Sequence, residues 1–583
     1  MEKVSRVTAR RHLPFLSPDI GCERRGDGVV RLWSRTPLGD YPATLLESLA
    51  HWAAMTPERT ALAERSEPGW RRMTFAELRE RARRVAQGLI ARGLGPDRPV
   101  MLLSGNGLEH AVLTIAGLYA GVPVCPVSPA YSLMSEDFAK LRHIGAMVRP
   151  GLVWVTDDAR FAAALDALDP VPRETDLTAL EVEPTEALDR RRQALDGRST
   201  AKILFTSGST GRPKGVVVTH GMLAVNQRQL ALIWPFLETR PPVLLDWLPW
   251  SHTFGGNQNL GLVLARGAAL YIDDGRPTPD GIARTVENLR LVSPTLHFNV
   301  PRGLDMLLPY LEADVTLRDR FFAELDLIFY SGAALPEPLW QRLDALGVAA
   351  TGQRPVLTTA WGATETAPLA MAAHFPLDRA GVVGVPVPGV EIALVPDGGK
   401  HEIRVRGPNV TPGYTHQPPR PTTAFDTDGF YRSGDAGSLA DPADANAGLV
   451  FDGRIAEDFK LATGTWVSAG ALRVAVVAAG APVVQDAVIA GHDRDGVGVL
   501  LFAHPDAQRI VATVRAGLAR HNTRYPGSST RIARALILDE PPRLDADEIT
   551  DKGYLNQRAV LSRRTEAVAR LFAEPPGDAV IVF

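Results

Sequence analysis

The 583-residue chain holds two cysteines, Cys22 and Cys125. Two thiols cannot build a disulfide framework or a thiolate metal cage, and they read as ordinary thiols of a reducing compartment. No uninterrupted apolar stretch reaches the roughly 18–20 residues of a membrane span. The start, MEKVSRVTARRHLPF, is basic but has no apolar core, so a secretory signal is not expected. The end, AVIVF, carries no targeting tail. Neither sign of charge dominates. The net charge is −3 with signs interspersed, which argues against a basic nucleic-acid-binding face. These absences leave cytoplasmic as the expected location of a globular protein. With 45% hydrophobic residues it can build a large core, and its length favours more than one domain.

What is present is patterned. Thr74 and Glu77 have the spacing of a capping box. Leu78, Val85 and Leu89 follow at helical spacing, and Gly93 supplies a stop. Residues 100–103 read as a buried strand. Helix then strand recurs at 112–120 with 122–126, and at 138–144 with 152–155. Such alternation predicts an α/β sheet with helices on its faces. Residues 1–40 are expected to be an irregular polar arm lying on the main body, and 174–198 a charged surface excursion. Between 381 and 453 turns crowd in, and Glu402, Ile403, Arg404, Val405 and Arg406 alternate polar with apolar, which predicts a β-rich subdomain. No internal repeat is visible.

The most informative stretch is 203–220, ILFTSGSTGRPKGVVVTH. Two apolar runs flank a loop of Ser, Thr and Gly, predicting strand, loop, strand. Gly208, Gly211 and Gly215 let backbone N–H groups turn toward an anion with no Cβ in the way. Thr206, Ser207, Ser209 and Thr210 add hydroxyl donors, and Lys214 adds a point charge. The loop suits a polyphosphate. It is not a Walker A loop, because Lys214 leads into Gly215 and a β-branched run rather than Ser/Thr at the head of a helix.

This loop resembles the signature of the acyl-adenylate-forming superfamily, and TTAWGATET (358–366), YRSGDAG (431–437) and GRIAEDFK (453–460) resemble its later motifs. The small-domain stretches EDFKLATGTWVSAGALR, VVQDAVIAGHDRDGVGVL and EITDKGYLNQRAVL resemble bacterial feruloyl-CoA synthetases. The resemblance covers most of the chain from about residue 40 onward. It implies a large adenylating domain at 41–453 with layered α/β sheets and a β-rich subdomain at about 381–453, then a small mobile α+β domain at 454–583.

It also implies roles. ATP would lie on the phosphate loop, on Gly332, Ala333 and Ala334, and along Trp361 and Gly362. Trp361 would stack on adenine, although the family more often has Tyr there. Thr364 would touch the α-phosphate and Glu365 would help hold Mg²⁺, which takes hard oxygen ligands and needs few carboxylates beside phosphate. Asp435 would accept the ribose hydroxyls and Arg454 would add a contact. His252 would stand at the floor of the acyl pocket near a thiol channel, with Tyr330, Ser331 and Gly332 flanking it and their small neighbours leaving room for a flat ring. Ile455 and Ala456 would be the hinge, with Ala456 replacing the family's usual Asp or Lys. Lys552 would enter the site in the first half-reaction, its charge offsetting the repulsion between carboxylate and α-phosphate.

The implied activity is a CoA ligase in two steps, with ferulate or a related hydroxycinnamate as the acid. Carboxylate attacks Mg-ATP to give acyl-adenylate and pyrophosphate, then the small domain rotates and a thiol displaces AMP. No pantetheine-attachment segment follows Lys552, so free coenzyme A is the expected acceptor. Alternatives are a fatty acyl-CoA or acyl-AMP ligase, and a silent nucleotide-binding homologue. The silent homologue predicts loss of Lys214, Glu365, Asp435 or Lys552, all of which are present. The expected oligomeric state is monomer or homodimer.

Overall fold

The computed structural model describes residues 9–207, 212–377, 380–504, 509–551 and 553–583. Among the described residues the strands form four sheets, of fifteen, six, two and four strands. The six-stranded sheet is built by the alternation seen in the sequence. Its strands Val124–Val127, Val100–Leu103 and Leu152–Val155 are parallel neighbours, buried on both faces. They carry β-branched and aliphatic side chains, as strands covered by helices on two sides must. Ahead of them lies the helix Phe75–Ala91. Thr74 and Glu77 close the capping box at its start. Its end is a Schellman turn, with Gly93 at φ +71° and the Leu94 N–H donating to the Leu89 carbonyl.

The fifteen-stranded sheet has two characters. From Leu357–Gly362 through Leu327–Tyr330, Leu296–Asn299, Val243–Asp246 and Ala269–Ile272 to Thr60–Ser66 the neighbours are parallel. From Leu357–Gly362 the other way, through Leu369–Ala372, Val382–Pro386, Leu449–Arg454, Tyr431–Leu439, Lys400–Arg406 and Glu391–Asp397, they are antiparallel. The strand carrying Trp361 is where the sheet changes character. Crevices outside the carboxyl ends of parallel strands are where open α/β sheets bind ligands. The β-rich stretch is present at 382–454.

Two expectations change. The described part of the expected arm, residues 9–40, is not irregular throughout: Ile20–Arg24 and Val30–Ser34 are strands, and Val30–Ser34 pairs with Glu391–Asp397 at the edge of the large sheet. Local composition hid this, because the partner lies some 360 residues away. Residues 174–198 are more than a surface excursion. Leu177, Leu180 and Leu188 are buried in the main core, the last from the helix Glu186–Gln193.

The C-terminal part is α+β. Val484–Ala490, Val497–Ala503, Ile532–Leu538 and Val580–Val582 form the four-stranded sheet. Its core, with Phe459, Val476, Ile489 and Val514 among its members, is separate from the core of the large sheets. The model is thus a large N-terminal α/β domain with a smaller C-terminal one. Among the described residues no helix is long and apolar enough to cross a membrane.

Candidate active site

The strands Thr200–Ser207 and Pro213–Thr219 pair antiparallel, with Lys214 opposite Thr206. This is the expected strand, loop, strand. Gly208, Ser209, Thr210 and Gly211 lie outside the described residues, as does the side chain of Ser207. The second strand is held on its other edge by residues 411–415. Val217 N–H donates to the Gly413 carbonyl (3.1 Å), Thr415 N–H to the Gly215 carbonyl (2.8 Å), and Thr411 Oγ1 to the Val217 carbonyl (2.6 Å). That contact brings in Tyr414, which sequence reading passed over as part of a turn. Lys214 Nζ sits 5.4 Å from the centre of the Tyr414 ring. The Tyr414 hydroxyl donates to Glu365 Oε1 (3.1 Å) and accepts from Tyr431. Burial and the nearby Glu365 charge push the Tyr414 hydroxyl up, so it remains a donor at neutral pH. Lys214, Glu365 and the start of the 431–437 motif therefore share one cluster.

Glu365 and Thr364 are both buried at 6% exposure, in the short turn Thr364–Thr366 after the Trp361 strand. Among the described residues the Glu365 carboxylate makes no ion pair. A buried hard-oxygen anion held only by a neutral hydroxyl fits a divalent cation that completes its shell with phosphate oxygens.

Trp361 Nε1 donates to Asp435 Oδ2 (3.0 Å), while Asp435 Oδ1 is buried with no hydrogen-bond partner and has Arg454 Nε at 3.4 Å. Burial pushes the Asp435 carboxyl up, against the pull of Arg454 and the Trp361 N–H. A buried acceptor left open is costly unless a ligand donates to it. Arg454 is 64% exposed, so its hold on Asp435 is weak and it is available to a ligand. In a Trp361→Phe variant the ring face stays and the N–H goes. We expect KM for ATP to rise about tenfold with kcat nearly unchanged, since a hydrogen bond to a charged group contributes about 1.5 kcal/mol or more. Steady-state kinetics with varied ATP checks this.

His252 stands ahead of the short π-helical segment Phe254–Asn259, at the end of a loop pinned from two sides. Asn106 bonds the Leu248 carbonyl (2.9 Å) and the Trp250 N–H (2.9 Å), and Lys202 Nζ donates to the Gly256 carbonyl (2.6 Å). Phe254 packs edge-on against Phe298 and Phe329, with ring centres 5.9 and 5.5 Å away. Tyr330 does not face this side. Strand alternation turns its ring into the helical core against Trp340, and Phe329 is the residue of that strand that faces Phe254. Ser331 follows, half-buried, and Gly332, Ala333 and Ala334 are exposed at the strand's carboxyl end. Gly332 has φ +87°, and a Cβ there would overlap the Tyr554 hydroxyl of the small domain.

Lys202 is 3% exposed, and desolvation lowers its pKa to about 7. An unfolded lysine stays protonated well above that. Between about pH 7 and 10 the unfolded chain therefore binds more protons at this position, and Lys202 makes stability rise with pH in that window. We expect the urea midpoint to climb between pH 7.5 and pH 9.5 more steeply in the native protein than in Lys202→Met.

Ile455 and Ala456 lie in the turn Ile455–Glu457, directly after the strand Leu449–Arg454. Lys400 grips both flanks of that turn: Asp452 Oδ1 (3.2 Å), Ser468 Oγ (3.1 Å) and the carboxylate of Asp458. Side chains outside the turn thus restrain it, where the small Ala456 does not. Lys552 lies outside the described residues. Its neighbours are described: Asp551 Oδ2 is 2.7 Å from His252 Nε2.

The AMP-binding enzyme family model matches residues 49–415, and the model of the AMP-binding enzyme C-terminal domain matches 459–575. The chain belongs to the AMP-binding enzymes. It is 30% identical to a feruloyl-CoA synthase of an Amycolatopsis species over 412 residues, 67% of this chain and 76% of that protein. It is 25% identical over 495 residues to the long-chain-fatty-acid–CoA ligase FadD15 of Mycobacterium bovis, 75% of this chain and 78% of that protein. A 29% match to the probable non-canonical nonribosomal peptide synthetase CymA of Salinispora arenicola takes in 82% of this chain but only 6% of that protein's length. Among solved structures, the Bacillus subtilis o-succinylbenzoate CoA synthetase in complex with its acyl-adenylate has the same fold. Its TM-score is 0.68 at 19% identity, over 89% of this chain and 98% of that one.

Proposed function

We propose that this AMP-forming acid–thiol ligase activates an aryl carboxylic acid, ferulate or a related hydroxycinnamate, and transfers the acyl group to coenzyme A. The observation that carries the nucleotide half is the buried Oδ1 of Asp435, which has no hydrogen-bond partner, flanked by Trp361 and the exposed Arg454. A ribose hydroxyl is the donor this acceptor lacks. The acyl half is supported by the aromatic cluster of Phe254, Phe298 and Phe329 beside His252, by the small-residue rim at 332–334, and by the 30% likeness to a feruloyl-CoA synthase.

In this reading a carboxylate oxygen of the acid bonds to the α-phosphorus of ATP, and the bond to pyrophosphate breaks. Lys214 and the loop hydroxyls hold the phosphates, Thr364 holds an α-phosphate oxygen, and Lys552 offsets the repulsion between the two anions. Glu365 would hold Mg²⁺, which supplies Lewis-acid charge to the phosphates when bound. In the second step the coenzyme A sulfur bonds to the acyl carbon and AMP leaves with the shared electron pair. The small domain, 454–583 in this reading, turns about Ile455 and Ala456 between the steps.

The test is to incubate the protein with Mg-ATP, coenzyme A and a mixture of ferulate, 4-coumarate, caffeate, cinnamate, benzoate, octanoate and palmitate, and to identify thioesters by mass spectrometry. Hydroxycinnamoyl-CoA as the dominant product supports the reading. Fatty acyl-CoA overturns the substrate class and keeps the reaction. Acyl-AMP without thioester overturns the acceptor.

A further inference from the structure

Leu544, Asp545, Asp547, Asp551 and Tyr554 of the small domain all meet the large domain. Lys140 Nζ donates to the Leu544 carbonyl (2.7 Å) and pairs with Asp547 Oδ1 (2.7 Å). Asp545 accepts from Ser135 Oγ (2.7 Å) and from the Glu136 N–H (2.8 Å). Tyr554 abuts Gly332. Asp551 is held as well, with its side chain 9% exposed. It bonds His252 Nε2 at 2.7 Å, and burial together with the nearby Asp551 charge pushes up the hydroxyl of the buried Tyr131. Two large-domain side chains far apart in sequence thus converge on one small-domain carboxylate, and one of them is the histidine of the proposed acyl site.

We propose that Asp551 is a positioning residue that docks the small domain for adenylate formation and has no part in thioester formation. The proposal rests on the two-step reading above. A carboxylate this enclosed cannot leave His252 without losing a hydrogen bond in a low-dielectric site, so the docked state is favoured selectively while Asp551 is seated. His252 gains a partner that orients its ring in this state and loses it when the small domain turns away.

Two measurements test this on the full-length chain. The first separates the half-reactions. ATP–pyrophosphate exchange with ferulate, 4-coumarate or palmitate reads adenylation, and synthetic feruloyl-AMP plus coenzyme A reads thioester formation. Asp551→Ala is expected to lower exchange about tenfold or more and to leave the second step within about twofold, with Asp551→Glu recovering part of the loss. Equal losses in both steps overturn the proposal. The second is hydrogen exchange without ligands, read at the Glu136 amide, which Asp545 protects only while the domains are docked. Faster exchange there in Asp551→Ala and in Tyr131→Phe, with the strand Val497–Ala503 unchanged, supports the docking role. Unchanged Glu136 exchange overturns it, whatever the enzyme does chemically. Wild-type protein that adenylates none of the acids, together with faster Glu136 exchange in the variants, overturns the reaction reading and leaves the docking role standing.

Discussion

Replacing Glu365 with Gln is expected to lower ATP–pyrophosphate exchange by about 10²–10³-fold, the scale of losing one preorganised electrostatic group at a reacting phosphate. The amide has the carboxylate's shape and its carbonyl oxygen still accepts from the Tyr414 hydroxyl, so the local fold is kept. What goes is the charge of a carboxylate that is 6% exposed and makes no ion pair among the described residues. Thermal midpoints should differ little between the two proteins, while the Mg²⁺ concentration for half-maximal exchange rises. If exchange in Glu365→Gln stays within a few-fold of wild type, Glu365 serves only to hold Tyr414. Tyr414→Phe is the companion: it frees the carboxylate without removing its charge, and its loss should be the smaller, near tenfold.

The second large effect is a split. Lys552→Ala should depress adenylate formation by about 10²–10³-fold and leave acyl transfer from a supplied acyl-adenylate within about twofold, because a cation between two approaching anions matters only while they approach. Single-turnover measurement of each half-reaction decides it. A parallel loss in both steps would make Lys552 a general determinant of folding or docking. Asp551 and Tyr554, close to Lys552 in sequence, both touch the large domain, at His252 and Gly332. Asp551→Ala should therefore reproduce the split in milder form.

The parts of the fold that were legible in the sequence are those held by neighbours in the chain. The Thr74–Glu77 box, the Gly93 stop, and the strands Val100–Leu103 and Leu152–Val155 all follow from spacing within a few residues. The phosphate-loop hairpin was legible for the same reason, since its two strands are adjacent in sequence. Trp361, Asp435 and Glu365 were found through motif likeness; in the structure Trp361 bonds Asp435, and Glu365 bonds Tyr414, whose ring lies beside Lys214. Pairings between distant segments were not legible. Nothing in IGCER or VRLWS announces a partner at 391–397, and PGYT reads as a turn until its backbone is seen bonded along Pro213–Thr219. Tyr330 turns toward Trp340 because its strand alternates, and the residue facing Phe254 is the one before it. Asp551 carried no signal, since one carboxylate beside a lysine near a C-terminus is the commonest kind of surface pair.

The pairing of Val30–Ser34 with Glu391–Asp397 also sets a clock during synthesis. At about 5–20 residues per second, the ribosome needs roughly 20–70 s after making the first strand before its partner emerges. For that interval Leu32, fully buried in the finished protein, has no sheet to enter. The strand must wait in a partly folded nascent chain, and the edge it will cover does not yet exist. Cells making this protein quickly are therefore expected to depend on chaperones that hold the first forty residues until the β-rich region has left the ribosome.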